Sequence, residues 1–437
     1  QTGLGRFMAA CGRFRVRRWA VLIGREWAFS CPPMGSFSCP STIEKLAGFG
    51  GGVQDVAAYV GKVQGLVDSD AGPKNGWEGL MSQLKGPFEQ TKTNTSQRYD
   101  KRQIAVYMTG NELISLANVY KEQENKNGAK IRAAASPLPG HDSPQAGDAT
   151  TTAAHLATGD LPDLTAPKEE EADVRGLIKG TIGWIADADE GVEKAVGWSP
   201  INDTFEKVIG NWAELTRIGN VYEKAGKGME GAGKSLETMT KQSGSHWDGK
   251  AAQAFDDYSG DLSKALEAEA PLTKVIKDCL DVLVEQIKKL VKSIAEIVVK
   301  KFEESYTIKD WKGKLKFLAK KIPFAGTAAE IATLANILRQ VWDEATKLVD
   351  QVQKAVDLVK SVIEFFKDPA GYLKQKGSDA LNKALDGALD KAGIESDAGK
   401  QLAKDLPAAI SAAGDYAGAP DGGLPVAAGS TPWDDGN

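Results

Sequence analysis

Gly228-Met229-Glu230-Gly231-Ala232-Gly233-Lys234-Ser235 fits the GxxxxGK[ST] spacing in which backbone amides cradle phosphates and a lysine reaches the outer ones. That chemistry needs a strand entering the loop and a helix leaving it, because the anion rests on the free N–H groups of a helix start. Here Tyr222-Glu223-Lys224-Ala225 continues a helical apolar stripe, and no hydrophobic strand ending in Asp is placed to hold magnesium. The octet therefore reads as packing, not as a nucleotide site. Asp187-Ala188-Asp189-Glu190-Gly191 approaches a calcium loop, but its glycine comes one position early and Trp198 stands where a bidentate Glu is needed. The three histidines are His141, His155 and His246, and the four cysteines (Cys11, Cys31, Cys39, Cys279) form no CxxC. No catalytic group, metal or cofactor is expected, and Cys279 on its apolar stripe should pack as a small hydrophobe.

The elements that could position anything else are helical. Ala, Lys, Glu, Leu and Asp are abundant, two-residue alternation is scarce, and the expected class is all-α, with long amphipathic helices in hairpins or a bundle. Mean hydropathy is −0.31, and charges interrupt each apolar stretch before it could span a bilayer. A net charge of −5 with mixed signs offers no basic face, so nucleic acid is not an expected partner.

Residues 1–40 carry Arg6, Arg13, Arg15, Arg17, Arg18 and Arg25 against one acid, Glu26. The run Trp19–Ile23 is shorter than the roughly 7–15 residues of a signal-peptide core, so a basic, unstructured extension without cleavable signal is expected. Residues 41–125 read as a hairpin. Ser41-Thr42-Ile43-Glu44 is a capping-box pattern, and Val53, Val56, Val60, Val63 and Val67 share one face. A loop at 68–76 follows, then a helix over 77–124 with a weaker stripe at Ile104, Tyr107, Leu113, Leu116, Ala117 and Tyr120. Residues 126–172, rich in Pro, Ala, Thr, Ser and Gly, read as a flexible linker. A second helical region covers 173–402: a helix from about Asn202, another from Lys250 restarted near Pro271, and a third from Pro323 to Asp368. Gly219, Gly226 and Gly233 fall on one heptad seam, where small residues permit close helix approach. Residues 403–437 read as a disordered tail.

Two Trp-x-Gly triplets, Trp77-Glu78-Gly79 and Trp247-Asp248-Gly249, stand at joints between helical stretches. Glycine suits a turn's dihedrals, and indole covers the open end of a hairpin. Tyr120-Lys121-Glu122-Gln123-Glu124 follows Trp77 at the separation a helical hairpin would give. With the run Trp247–Phe255, these segments resemble the Trp-x-Gly (WXG) family of helical hairpins exported by bacterial type VII (ESX) secretion systems, including its larger actinobacterial members. The resemblance spans about 41–125 and, more loosely, 174–370.

It implies that Trp77, Gly79, Trp247 and Gly249 are hairpin-turn residues and that Tyr120 and Glu124 form an export signal. That signal would act together with the Trp-x-Gly of a partner hairpin. Implied partners are a small hairpin protein or the protein itself in a four-helix bundle, a secretion ATPase, and a separately encoded toxin. The partner would pack on Val53–Val67, and the protein would be secreted or surface-bound. The second region departs from the pattern, since its Tyr306-x-x-x-Asp310 comes later than the hairpin length requires. The rival expectation is a membrane-active effector using the Lys-rich amphipathic stretches 272–302 and 323–366.

Overall fold

The computed structural model describes residues 39–135, 154–168, 211–244, 250–305, 328–379 and 396–417, with single positions at 193, 197, 383 and 387. Among these residues the protein is all-α, without a β-strand: α1 Cys39–Asp70, α2 Ser82–Ala135, α3 Trp212–Ser243, α4 Lys250–Glu267, α5 Glu269–Ser305, α6 Ala328–Lys367, α7 Pro369–Lys376 and α8 Asp397–Ala417. A 3-10 turn, Gly79–Met81, leads into α2. Asn202, Asp203, Trp247, Gly249, Tyr306, Asp310, the calcium-like 187–191 and residues 1–38 lie outside the described residues.

α1 and α2 form the first antiparallel hairpin. All five valines of the α1 stripe, Val53 to Val67, are 0% exposed. The helices meet through a glycine pair: a methyl on Gly50 would lie 2.8 Å from the Gly110 carbonyl, and one on Gly110 would lie 2.7 Å from the Gly50 carbonyl. α1 begins at Cys39, so Ser41 lies inside its first turn and is not the cap. The α2 stripe also needs correction. Leu113, Leu116, Ala117 and Tyr120 are buried, but Ile104 and Tyr107 are exposed. The inward face carries instead Leu84, Phe88, Thr91, Thr95, Arg98, Arg102, Val106 and Thr109.

α3 and the nearly continuous α4–α5 make the second antiparallel hairpin, and its seam is the heptad of glycines. A methyl on Gly219 would lie 3.4 Å from Lys277 Cα, one on Gly226 2.9 Å from Ala270 Cα, and one on Gly233 2.7 Å from the Ser263 carbonyl. The break between α4 and α5 falls at Ala268, so Pro271 sits in the first turn of α5, where its missing N–H costs no helical bond. Cys279 of α5 is buried in the core at 1% exposure, and burial pushes its thiol far up.

The two hairpins dock on each other. Phe49 of α1 meets Phe255 of α4 edge to face, with centroids 5.4 Å apart. Arg98 of α2 forks onto Glu269 of α5 at 3.0 and 2.9 Å, donates to the Phe366 carbonyl at 2.9 Å, and lies 4.4 Å over the Phe366 ring. One ion pair thus ties α2, α5 and α6 together. The Val53–Val67 face is covered by α3 of the same chain: a methyl on Gly228 would lie 2.9 Å from Val63 Cγ2.

This arrangement explains the connection between hairpins. The first hairpin's open end and the start of α3 lie at opposite poles, so the chain must return along the bundle. Residues 154–168 do so in extended form between α1 and α3. Leu156 N–H donates to the Gly48 carbonyl (2.9 Å), Tyr59 hydroxyl to the Pro162 carbonyl (2.6 Å), Lys224 to the Thr165 carbonyl (2.6 Å), and Ser235 hydroxyl to the Thr158 carbonyl. Leu156, Leu161 and Leu164 pack on the core. The flexible-linker reading therefore does not hold for residues 126–135, which belong to α2, or for 154–168. Polar composition hid a strap whose carbonyls are bound by side chains of both neighbouring helices.

α6 and α8 cover α5. The reading of 403–437 as a disordered tail fails over 403–417, which continue α8 and bury Leu406, Ala409, Ala412 and Ala413. Where α8 meets α5, Lys274 bridges Asp278 (2.9 Å) and Asp405 (2.8 Å). Burial pushes the Asp278 carboxyl up to about 6, with Lys274 pulling it down and Asp405 raising it. A raised folded value means stabilisation fully present below about pH 3.8 and lost as pH rises through about 6. Asp278→Asn should therefore melt higher than wild type at pH 7.5 and coincide with it near pH 4, a comparison that thermal denaturation followed by circular dichroism makes directly.

Candidate functional site

The bend of the first hairpin contains Gly76 at φ +74°, Trp77, and Gly79 at φ +53°. Both glycines occupy the left-handed region that L side chains rarely adopt, and a methyl on Gly76 would also lie 2.5 Å from Asn211 Cβ. Trp77 is half-buried and lies against Phe88, with ring centroids 5.9 Å apart and a tilt of 58°. The triplet thus sits in the turn, before α2 begins at Ser82, as its residue types suggest. The indole Nε1–H of Trp77 is buried without an acceptor among the described residues.

The rest of this bend is held by the other hairpin. Asn211 N–H donates to the Gly76 carbonyl at 2.9 Å, and the Lys74 amide donates to Glu214 Oε1 at 2.8 Å. Arg217 forks onto Glu214 at 2.7 Å twice and reaches the carbonyls of Asp70 and, at 2.9 Å, Gly72. Burial raises the Asp70 carboxyl, but hydrogen bonds from Lys74 and Ser69 and the charges of Lys74 and Arg217 outweigh it and hold the group below its usual range.

Tyr120 is 6% exposed in the core, and Glu124 is half-exposed. α2 runs on to Ala135, so the Tyr120–Glu124 segment is not at the helix end. Its position along the bundle follows from register. Arg98 is level with Glu269 and Thr109 with Tyr258, a step of eleven residues on each side. Eleven more, about three turns, bring Tyr120 to the pole where α3 ends at Ser243 and α4 starts at Lys250. The joint between them carries the second Trp-x-Gly in sequence; its residues 245–249 lie outside the described ones. From Ser82 to Tyr120 α2 rises about 57 Å, so Trp77 and Tyr120 stand at opposite poles of the first hairpin.

No family model, curated protein or solved structure matches this chain.

The phosphate-loop look-alike lies in mid-helix within α3. Its glycines, lysine and serine are all engaged in packing or pairing. Gly228 admits Val63, Gly231 admits Pro162, Gly233 admits the Ser263 carbonyl, Lys234 pairs with Glu230, and Ser235 binds the strap. No strand precedes it among the described residues. Among the described residues no group of three His, Cys, Asp or Glu is placed to hold a metal ion, and no helix is long and apolar enough to cross a membrane. The amphipathic faces of α5 and α6 turn inward, with Leu272, Ile287, Leu338, Val356 and Phe366 at 3% exposure or less.

Sequence reading missed Arg217 with Glu214, and Arg98 with Glu269. The available signal was a charge on a core-facing position: Glu214 and Arg217 flank Leu215 and Ile218 on the buried side of α3.

Proposed function

We propose that this chain is a non-enzymatic substrate of a bacterial type VII secretion system, and that it carries both hairpins of the recognised unit in one polypeptide. What supports the reading is the cross-hairpin register, which runs α2 from Thr109 beside Tyr258 on toward Tyr120 at the pole where α3 ends at Ser243 and α4 starts at Lys250. In the Trp-x-Gly hairpins that the sequence resembles, the Tyr signal of one partner acts with the Trp-x-Gly of the other. Here the second hairpin stands in for the small separate partner. Trp77 and Gly79 form the corresponding bend at the far pole. The remaining partners are a secretion ATPase that reads the folded pair and a separately encoded toxin as associated cargo. The destination is the medium or the cell surface.

The test is export from a bacterium with a working type VII system, scored as protein in the culture medium against protein retained in cells. Trp77→Ala, Trp247→Ala and Glu124→Ala should each reduce the secreted fraction to background, with far-ultraviolet circular dichroism unchanged. Tyr120→Phe keeps the buried ring and isolates the hydroxyl. Normal export of all four variants, beside a resident substrate exported normally, would remove the reading.

A further inference from the structure

The loop between α1 and α2 does not satisfy its own backbone. α1 has no basic residue in its last turn to balance the negative end of the helix dipole, and the nearby Lys74 ammonium is paired with the Asp70 carboxylate at 2.9 Å. Arg217 supplies a cation from another hairpin, 147 residues away in sequence. Its guanidinium donates to the Asp70 and Gly72 carbonyls while the fork to Glu214 holds it in plane. Glu214 in turn accepts from the Lys74 amide, and the Asn211 amide closes on the Gly76 carbonyl. Four consecutive links therefore run from the first turns of α3 to residues 70–76, immediately before Trp77. Arg217 is 3% exposed and Glu214 5%, so the two side chains that make three of these links are buried.

We infer that Arg217, with Glu214, is the positioning residue of the Trp77–Gly79 bend, so that this recognition element takes its shape only when the second hairpin is docked. An undocked first hairpin would keep its helices, which are joined by their own valine and glycine contacts, while the loop carbonyls and the Lys74 amide turned to water. The bend thereby reports pairing: a reader of Trp77 distinguishes a completed two-hairpin unit from a half-folded chain. This consequence rests on the recognition role proposed for Trp77 and Gly79; the positioning itself does not.

Amide hydrogen exchange on the full chain tests it. Arg217→Lys keeps a positive charge opposite Glu214, so the buried carboxylate stays paired, but an ammonium lacks the planar fork that serves two carbonyls and a carboxylate together. Exchange at the Lys74 amide, at the Asn211 amide that donates to Gly76, and at Met81 in the 3-10 turn should accelerate by roughly tenfold or more, the effect of losing a charge-assisted bond. The centres of α1 and α2 should be unchanged. Arg98→Lys, at the other buried arginine–glutamate pair, should leave those three amides unaltered. Unchanged exchange at the three amides in folded Arg217→Lys, or acceleration spread evenly over all helices, would overturn the positioning role. Export of the same variant separates the two readings: local acceleration with normal export leaves Arg217 as the positioning residue and overturns the assignment of the bend to recognition.

Discussion

Arg98→Ala is expected to cost about 3–5 kcal/mol of unfolding free energy, because it leaves the Glu269 carboxylate buried without its cation. Glu269 is 0% exposed and Arg98 7%, so solvent cannot replace the lost partner. The guanidinium also releases the Phe366 carbonyl and the face of its ring, loosening α6 from the two hairpins. The pair itself need not be a net source of stability, since desolvating two charges offsets much of their attraction. Arg98→Met combined with Glu269→Leu should therefore lie within about 1–2 kcal/mol of wild type. Urea titrations of wild type, both single variants and the double variant would measure the coupling. A loss below about 1 kcal/mol for Arg98→Ala, the range of solvated surface pairs, would contradict the buried placement.

The second large effect is a reversal of sign among helical glycines. Gly233→Ala would set a methyl 2.7 Å from the Ser263 carbonyl, and Gly226→Ala would set one 2.9 Å from Ala270 Cα and against the Thr273 hydroxyl. These neighbours are largely backbone and cannot rotate aside, so α3 must move off α4–α5 at a cost of about 1–3 kcal/mol. Gly65→Ala in α1 and Gly260→Ala in α4 meet nothing within 4 Å. There the only effect is the lower entropy of the unfolded chain and better helix propensity, a gain of about 0.5–1 kcal/mol. Thermal melts of the four variants give the answer. Destabilisation by Gly260→Ala, or stabilisation by Gly233→Ala, would contradict the packing described for the seam.

The heptad of glycines was legible because its period is that of a helix seam, and the context around Gly228–Ser235 already argued against a phosphate loop. The α2 stripe was less so. Half of its inward face is Thr91, Thr95, Arg98 and Arg102, residue types that ordinarily mark the solvent side, while Ile104 and Tyr107 face out. α8 was missed because Ala, Gly, Pro and Asp dilute its pattern, although Leu402, Leu406, Ala409 and Ala413 keep three- and four-residue steps. The strap was missed for a different reason. An extended segment bound through its carbonyls leaves no periodic trace in residue type.

From its sequence alone, then, this protein's helical periods, the turn that carries Trp77, and the need for glycine at Gly79 could be deduced. Each depends on a few contiguous residues, whose dihedral demands and 3.6-residue spacing are local properties. Tertiary structure alone decided that the two hairpins pair within one chain, that Arg217 caps α1 from 147 residues away, and that Arg98 finds Glu269 across 171. Charge pairing depends on distance in space, and chain separations of that size carry no imprint of it until the helices have packed.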